Sequence, residues 1–549
     1  MKLNKGQIMW NTIIFIFILG FVNLTSFLFG DANQIVGVVV ITSALAFVQR
    51  DLTAAPVENL IKLIVLNIFT GVFASLALVN PWIGIPVNFF SLFIIGYFFS
   101  SKLKSPLIIP IGFQYLFMMY KPVEGRDFML RIAALIFGAF VTMIIQFVFN
   151  KGKVKKSFIS TLKGVLGDLK TNIEEKTDNK DLALAKINNV KKVIYESRKH
   201  KFFLTDGGAR FTDIVCLLER IILTFDREVL ENDASKKERV ISLINSVLLA
   251  VEKNNFTKLK ANSLNEDSSE IEYCINKLIV EIKELESVET KKQEFERKDI
   301  PEAFKVTRIF KDNFKKDTLK VSYGFKLALL LTVAAFIVDI MNITEGRWIV
   351  YTMFSLLQPY SELTKERARY RIEGTIIGAI LVVGLFAVIK EPAIRGLVVL
   401  CAGYCNPYAK HYRSLMIIVT TSVLADIGAS GNAPWFALTR LSFVVLAAVV
   451  VVIASKYICP YKLSDGNVEV KNTCNLIVDK MNDEMSRNTN VDTLRTLYLL
   501  PAFFEDRVNV VNNCPNEIGE LKKFFNEKRE VLNNIYIKHY FESEEKISC

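Results

Sequence analysis

Hydrophobicity in this chain is confined to two blocks, residues 9–149 and 322–458, and between them lies charged, helix-periodic sequence over 151–319. Each block breaks into six apolar segments: 9–29, 35–48, 60–79, 87–100, 105–120 and 128–149, then 322–341, 348–358, 370–389, 393–405, 413–426 and 434–458. Backbone surrounded by lipid must satisfy its own hydrogen bonds, which restricts spanning segments of this kind to helices. About 20 apolar residues cross the roughly 30 Å hydrocarbon core. The shorter segments need little tilt, snorkelling flanks or burial among their neighbours. The composition agrees: 51% of residues are hydrophobic and 23% charged, so the polar residues belong to regions outside the bilayer.

The expected fold is all-α. It is a polytopic membrane protein with two tandem six-helix transmembrane repeats, 1–150 and 320–460, followed by cytoplasmic helical domains at 151–319 and 461–549. Within the polar regions Ile271, Cys274, Ile275, Leu278 and Ile279 recur at helical spacing, and the clearest tail helices run over 491–504 and 517–541. Lys and Arg collect in alternate short loops, at Lys2 and Lys5, Arg50, Lys102 and Lys104, Lys151 to Lys156, Lys365 to Arg371, Lys410 and Arg413, and Lys456. By the positive-inside rule both termini and both helical domains are cytoplasmic, in the plasma membrane of the cell. That bias also accounts for the net charge of +12 without a nucleic-acid partner.

Sliding the sequence along itself by about 310 residues aligns Asp51-Leu52-Thr53 with Glu362-Leu363-Thr364, Pro81 with Pro392, Lys104-Ser105 with Arg413-Ser414, and Arg131 with Arg440. A parallel repeat implies a pseudo-twofold axis along the membrane normal, with a path between the halves.

Charges inside apolar segments cost about 2.5 to 3.5 kcal/mol at the bilayer centre, so they face protein or water and are candidate functional groups. Arg131 and Arg440 occupy equivalent places in segments six and twelve and are expected to form a positive ring for an anion; the alternative is that both snorkel or pin neighbouring helices. Arg347, Trp348 and Arg395 extend this substrate-binding set, with Trp348 open to a second reading as an interfacial belt residue. Asp339 and Asp426 are candidate proton-coupling groups or ordinary interfacial residues, and Glu373 pairs within its own helix among Arg367, Arg369 and Arg371. No phosphate loop, zinc-protease or nucleophile-elbow motif occurs, no C-x-x-C pair exists among the eight cysteines, and no cofactor or metal site is expected. The chain reads as a non-enzyme.

The stretch 346–386 carries Trp348, Pro359, Thr364, the basic Arg367, Arg369 and Arg371, and Gly374-Thr375 with Gly378. In these residues the chain resembles the fusaric acid resistance and aromatic acid exporter family. A weaker copy in the first half includes Gly37, Asp51-Leu52-Thr53, Pro56 and Gly71 but lacks the basic cluster. The resemblance implies efflux of aromatic or other hydrophobic organic anions between two pseudo-symmetric halves. The cytoplasmic helical domains are then expected to gate the path or hold a homo-oligomer together. The competing reading is a non-transporting envelope scaffold or stress-related protein that recruits partners through its helical domains.

Overall fold

The computed structural model describes residues 5–548 apart from 101–106, 176–179, 199–203, 205, 226–233, 254–255, 257–258, 260–269, 285–313, 315–317, 429–432, 487–490 and 506–514. Lys2, Lys102, Lys104 and Ser105 lie outside the described residues.

Among the described residues the fold is all-helical, with no strand. The first apolar block forms α1 (Lys5–Phe29), α2 (Gln34–Phe47), α3 (Pro56–Leu76), α4 (Pro81–Phe99), α5 (Ile108–Met119) and α6 (Gly125–Asn150). The polar middle forms α7 (Lys153–Glu174), α8 (Lys180–Glu196), α9 (Asp206–Thr224), α10 (Ala234–Glu252) and α11 (Glu270–Glu284). The second block forms α12 (Leu319–Ile340), α13 (Arg347–Leu356), α14 (Ser361–Val388), α15 (Pro392–Cys405), α16 (Tyr412–Gly428) and α17 (Ala433–Tyr457). The tail forms α18 (Leu463–Ser486), α19 (Val491–Leu499) and α20 (Pro515–Ser548). Proline fixes several starts because its missing N–H is surplus in a first turn. Pro81 opens α4, where the Asn80 side chain also accepts the Trp82 amide at 2.8 Å, and Pro392 opens α15.

Seven of these helices, α1, α3, α4, α6, α12, α14 and α17, are long and apolar enough to cross a membrane. The other apolar segments also fold as helices but are shorter. At 1.5 Å rise per residue the ten residues of α13 reach about 15 Å, half a hydrocarbon core. Burial compensates α13: Ile349 to Leu356 are all enclosed by protein.

The chain divides into two compact units. One contains residues 1–47, 60–142 and 310–466, and so unites both apolar blocks. Its outward side chains are large and apolar, among them Phe27, Val65, Trp82, Ile380, Val388 and Leu438, the surface expected against lipid. The two blocks meet within this unit where α4 crosses α12: a Cβ on Gly96 would lie 2.7 Å from the Gly324 Cα, so the backbones touch. At a second meeting, α5 against α13, Gly112 leaves room for the Phe354 ring. Small residues at crossings are the usual device of membrane helices, whose association gains little from hydrophobicity.

The other unit contains residues 48–59, 143–309 and 467–549. The sequence treats 151–319 and 461–549 as separate appendages. In the structure they share one apolar core, with Leu162, Ile187, Ile214, Val247 and Ile275 from the middle region packed with Met481, Leu497, Tyr536 and Ile537 from the tail. A buried polar network accompanies that core: Glu219 on α9 accepts from Lys191 at 2.7 Å and from the Tyr498 hydroxyl, and pairs with Arg529 at 3.3 Å.

Candidate functional site

The second set of helices packs around its glycines. Gly374 and Gly378 on α14 face α16, where added Cβ atoms would stand 2.7 Å from the Met416 Cβ and 2.9 Å from the Ile417 carbonyl. This close packing fixes α14 in rotation, so residues 367, 369 and 371 fan out around its axis. Arg369 is exposed and bonds Glu373 at 2.9 Å, which also takes Arg413 at 3.1 Å. Arg371 turns inward: it is 6% exposed, its Nη1 points at the Met416 sulfur, and its Nε has no hydrogen-bond partner. The local pairing expected for Glu373 exists, yet it omits the arginine that is buried.

Arg440 on α17 is 4% exposed, and neither its Nε nor its Nη1 finds a hydrogen-bond partner. The guanidinium carbon lies 4.3 Å from the centroid of the Trp348 ring, a cation–π contact made away from water. Trp348 is held in turn, since its indole N–H donates to Glu345 at 2.8 Å and its ring meets Tyr351 edge-on at 5.5 Å. Glu345 sits in the short loop between α12 and α13 with φ of 61°, a left-handed conformation that a glutamate seldom adopts. From there it also binds Arg347 at 2.8 Å, so the Arg347 charge is already matched. The charge that reaches Arg440 is that of Arg371, which is like in sign.

Lys326 on α12 is the third such group. It is fully enclosed, and its Nζ has no hydrogen-bond partner.

Arg131 occupies the place in α6 that the sequence repeat pairs with Arg440, but its surroundings differ. Its Nε donates to the Asn33 Oδ1 at 3.0 Å, Nη1 to the Lys121 carbonyl at 2.6 Å and Nη2 to the Ala32 carbonyl at 3.2 Å. These bonds tie α6 to the loops beside it and leave the cation well satisfied. Arg395 is similarly occupied: it donates to the Ile389 carbonyl at 2.9 Å and the Phe386 carbonyl at 3.4 Å, closing the C-terminal end of α14, and lies 4.6 Å over the Phe386 ring. Asp339 is half-buried and Asp426 exposed.

The structure thus gathers Arg440, Trp348, Glu345 and Arg347 into one group and gives Arg131 and Arg395 bonds of their own elsewhere. Sequence reading passed over Lys326, although an ionisable residue inside an apolar span is itself the signal. It also took Arg371 as one member of a charged cluster. Among the described residues no group of His, Cys, Asp and Glu is arranged to hold a metal ion.

Residues 333–454 match the family described as fusaric acid resistance protein-like. The matched stretch runs from within α12 to within α17, and so contains Trp348, Arg371 and Arg440. The resemblance read from 346–386 is supported over that region, and the family is one of membrane transport proteins rather than enzymes. No curated protein and no solved structure matches this chain. The fusaric acid resistance-like region therefore contains two of the three buried cations, Arg371 and Arg440, and Lys326 lies just before it.

Proposed function

We propose that the protein moves an organic anion with an apolar or aromatic body across the plasma membrane, outward from the cell, and that Arg440 over Trp348 receives its acidic group. The observation that carries this reading is the pair of unpartnered guanidinium N–H groups on a side chain removed from water. An isolated buried charge is strongly unfavourable, and a carboxylate that accepts both N–H bonds relieves it. The neighbouring Trp348 and Tyr351 rings offer flat apolar surfaces to the rest of such a molecule. The fusaric acid resistance-like match supports transport as the class of activity.

On this reading the two sets of helices need not contribute equally. The first set supplies Arg131 as a tie, and the second supplies the anion site. The distribution of Lys and Arg among the short loops supports a cytoplasmic location for the polar helical unit.

Proteoliposomes loaded with 1-naphthoate provide the test. Arg440→Gln is expected to lower efflux at least tenfold while the protein stays monodisperse. Flux equal to that of the unaltered protein would refute the assignment, and absence of flux for a panel of aromatic acids would favour the scaffold reading.

A further inference from the structure

The hydrogen bonds of the second helical set give a vertical register for its three buried cations. The Ser322 hydroxyl on α12 donates to the Cys459 carbonyl at 3.1 Å, just past the end of α17, and the Ser361 hydroxyl on α14 donates to the Ser455 carbonyl at 3.1 Å. Both α12 and α14 run antiparallel to α17, so each residue forward on them corresponds to one residue back on α17. Lys326, one turn beyond Ser322 on the same face of α12, therefore stands near the level of Ser455, whose buried hydroxyl also lacks a partner. Arg371, ten residues beyond Ser361, stands near residue 445, and Arg440 lies further along. The three cations mark a line along α17, about 20 Å from end to end at 1.5 Å per residue.

These cations are not chemically equivalent. Arginine keeps its proton under all working conditions, whereas a desolvated lysine amine loses its own readily. We propose that Lys326 is the proton-exchanging group of this protein, charged while an anion occupies the line of cations and neutral when the line is empty. In the exchange one Nζ–H bond breaks, the electron pair stays on nitrogen, and the proton passes to water at the Glu362 and Cys459 end, where both residues are exposed. Reprotonation reverses the step. The driving imbalance is local: an ammonium enclosed with no hydrogen-bond partner is costly, and either an arriving anion or the loss of its proton relieves it.

The groups around Lys326 fit this role. Glu362 from α14 and Cys459 after α17 are the titratable groups whose charge reaches it, and neither bonds it. On its own helix the Tyr323 hydroxyl is engaged with the Leu357 carbonyl at 3.3 Å. From the packed neighbours, α4 offers Tyr97, α13 offers Tyr351 and the Glu345-paired Arg347, and α17 offers Arg440 and Lys456, the last directed over Tyr457 at 5.4 Å. None of these places a carboxylate against the ammonium.

Coupling to anion movement rests on the anion-transport reading above, but the titration of Lys326 does not, and the experiment separates the two. Acid–base titration of the purified full-length protein in nanodiscs, over the pH range of the flux assay, should show one titrating group per chain that is missing from both Lys326→Arg and Lys326→Met. Curves that superimpose for the unaltered protein and either well-folded variant would overturn the proposal. In weakly buffered solution 1-naphthoate should then draw protons into the unaltered protein and into neither variant. Naphthoate binding with no proton uptake would also overturn it, whereas no binding at all would count against the transport reading and leave the titration to decide Lys326.

Discussion

The guanidinium of Arg440 lies 4.3 Å from the centre of the Trp348 ring, while its Nε and Nη1 point at no acceptor. One face of the cation is satisfied by aromatic electrons and its edge is left open. A desolvated cation–π contact is worth about 2 kcal/mol. Trp348→Leu removes the platform and is expected to weaken 1-naphthoate binding on the order of tenfold, with Trp348→Phe intermediate. Isothermal titration of the three proteins checks the order; equal affinities would mean that Trp348 is only a packing residue.

Arg131 should behave in the opposite way. Its three bonds join α6 to Asn33, Ala32 and Lys121, and Arg131→Gln cannot reach them all. The expected loss is about 3 kcal/mol or more of stability, because hydrogen bonds to charged groups contribute about 1.5 to 3 kcal/mol each. Thermal melting in detergent should reveal it, with anion affinity per folded molecule unchanged.

The α4–α12 crossing admits no side chain. At Gly96 a new Cβ would meet the Gly324 backbone, whereas at Gly20 it would meet nothing within 4 Å. Gly96→Val should therefore cut the yield of monodisperse protein severely and Gly20→Ala should not, as size-exclusion chromatography can show.

In the polar unit Glu219 is the counter-ion of both Lys191 and Arg529, and all three are buried. Glu219→Gln leaves two enclosed cations without it, a loss on the order of 3 to 5 kcal/mol. The melting temperature of this unit should fall by on the order of 10 °C, given about 2 to 4 °C per kcal/mol for its size.

Burial pushes the Cys274 thiol up to about 12 and the Cys216 thiol well above its ordinary range, while Cys401, Cys405 and Cys459 are exposed. At pH 8 the first two hold almost no thiolate and lack access, so iodoacetamide should spare them in the native protein. Mass spectrometry after brief labelling should find Cys459 modified and Cys216 and Cys274 only after denaturation.

Much of this architecture follows from the order of residues alone. The confinement of apolar residues to two blocks required helices in a bilayer. Segment length was the weaker guide: α13 reads as apolar sequence like its neighbours, and only its enclosure by other helices explains how ten residues can sit at membrane depth. Nor did the two polar regions announce a common core, because the periodicity of 271–279 says which face is buried but not that 477–537 helps to bury it.

The candidate site divides along the same line. That Arg131 and Arg440 lie in apolar helices is a property of the chain, and the repeat makes them look alike. Whether each cation is satisfied depends on what other segments bring to it. Asn33 and two carbonyls come to Arg131, a tryptophan face comes to Arg440, and nothing that hydrogen-bonds comes to the Nζ of Lys326. Sequence fixes which residues must avoid lipid, because that cost is local to the side chain. Only the packed structure decides which of them still lack a partner, because a partner is a matter of distance between segments far apart in the chain.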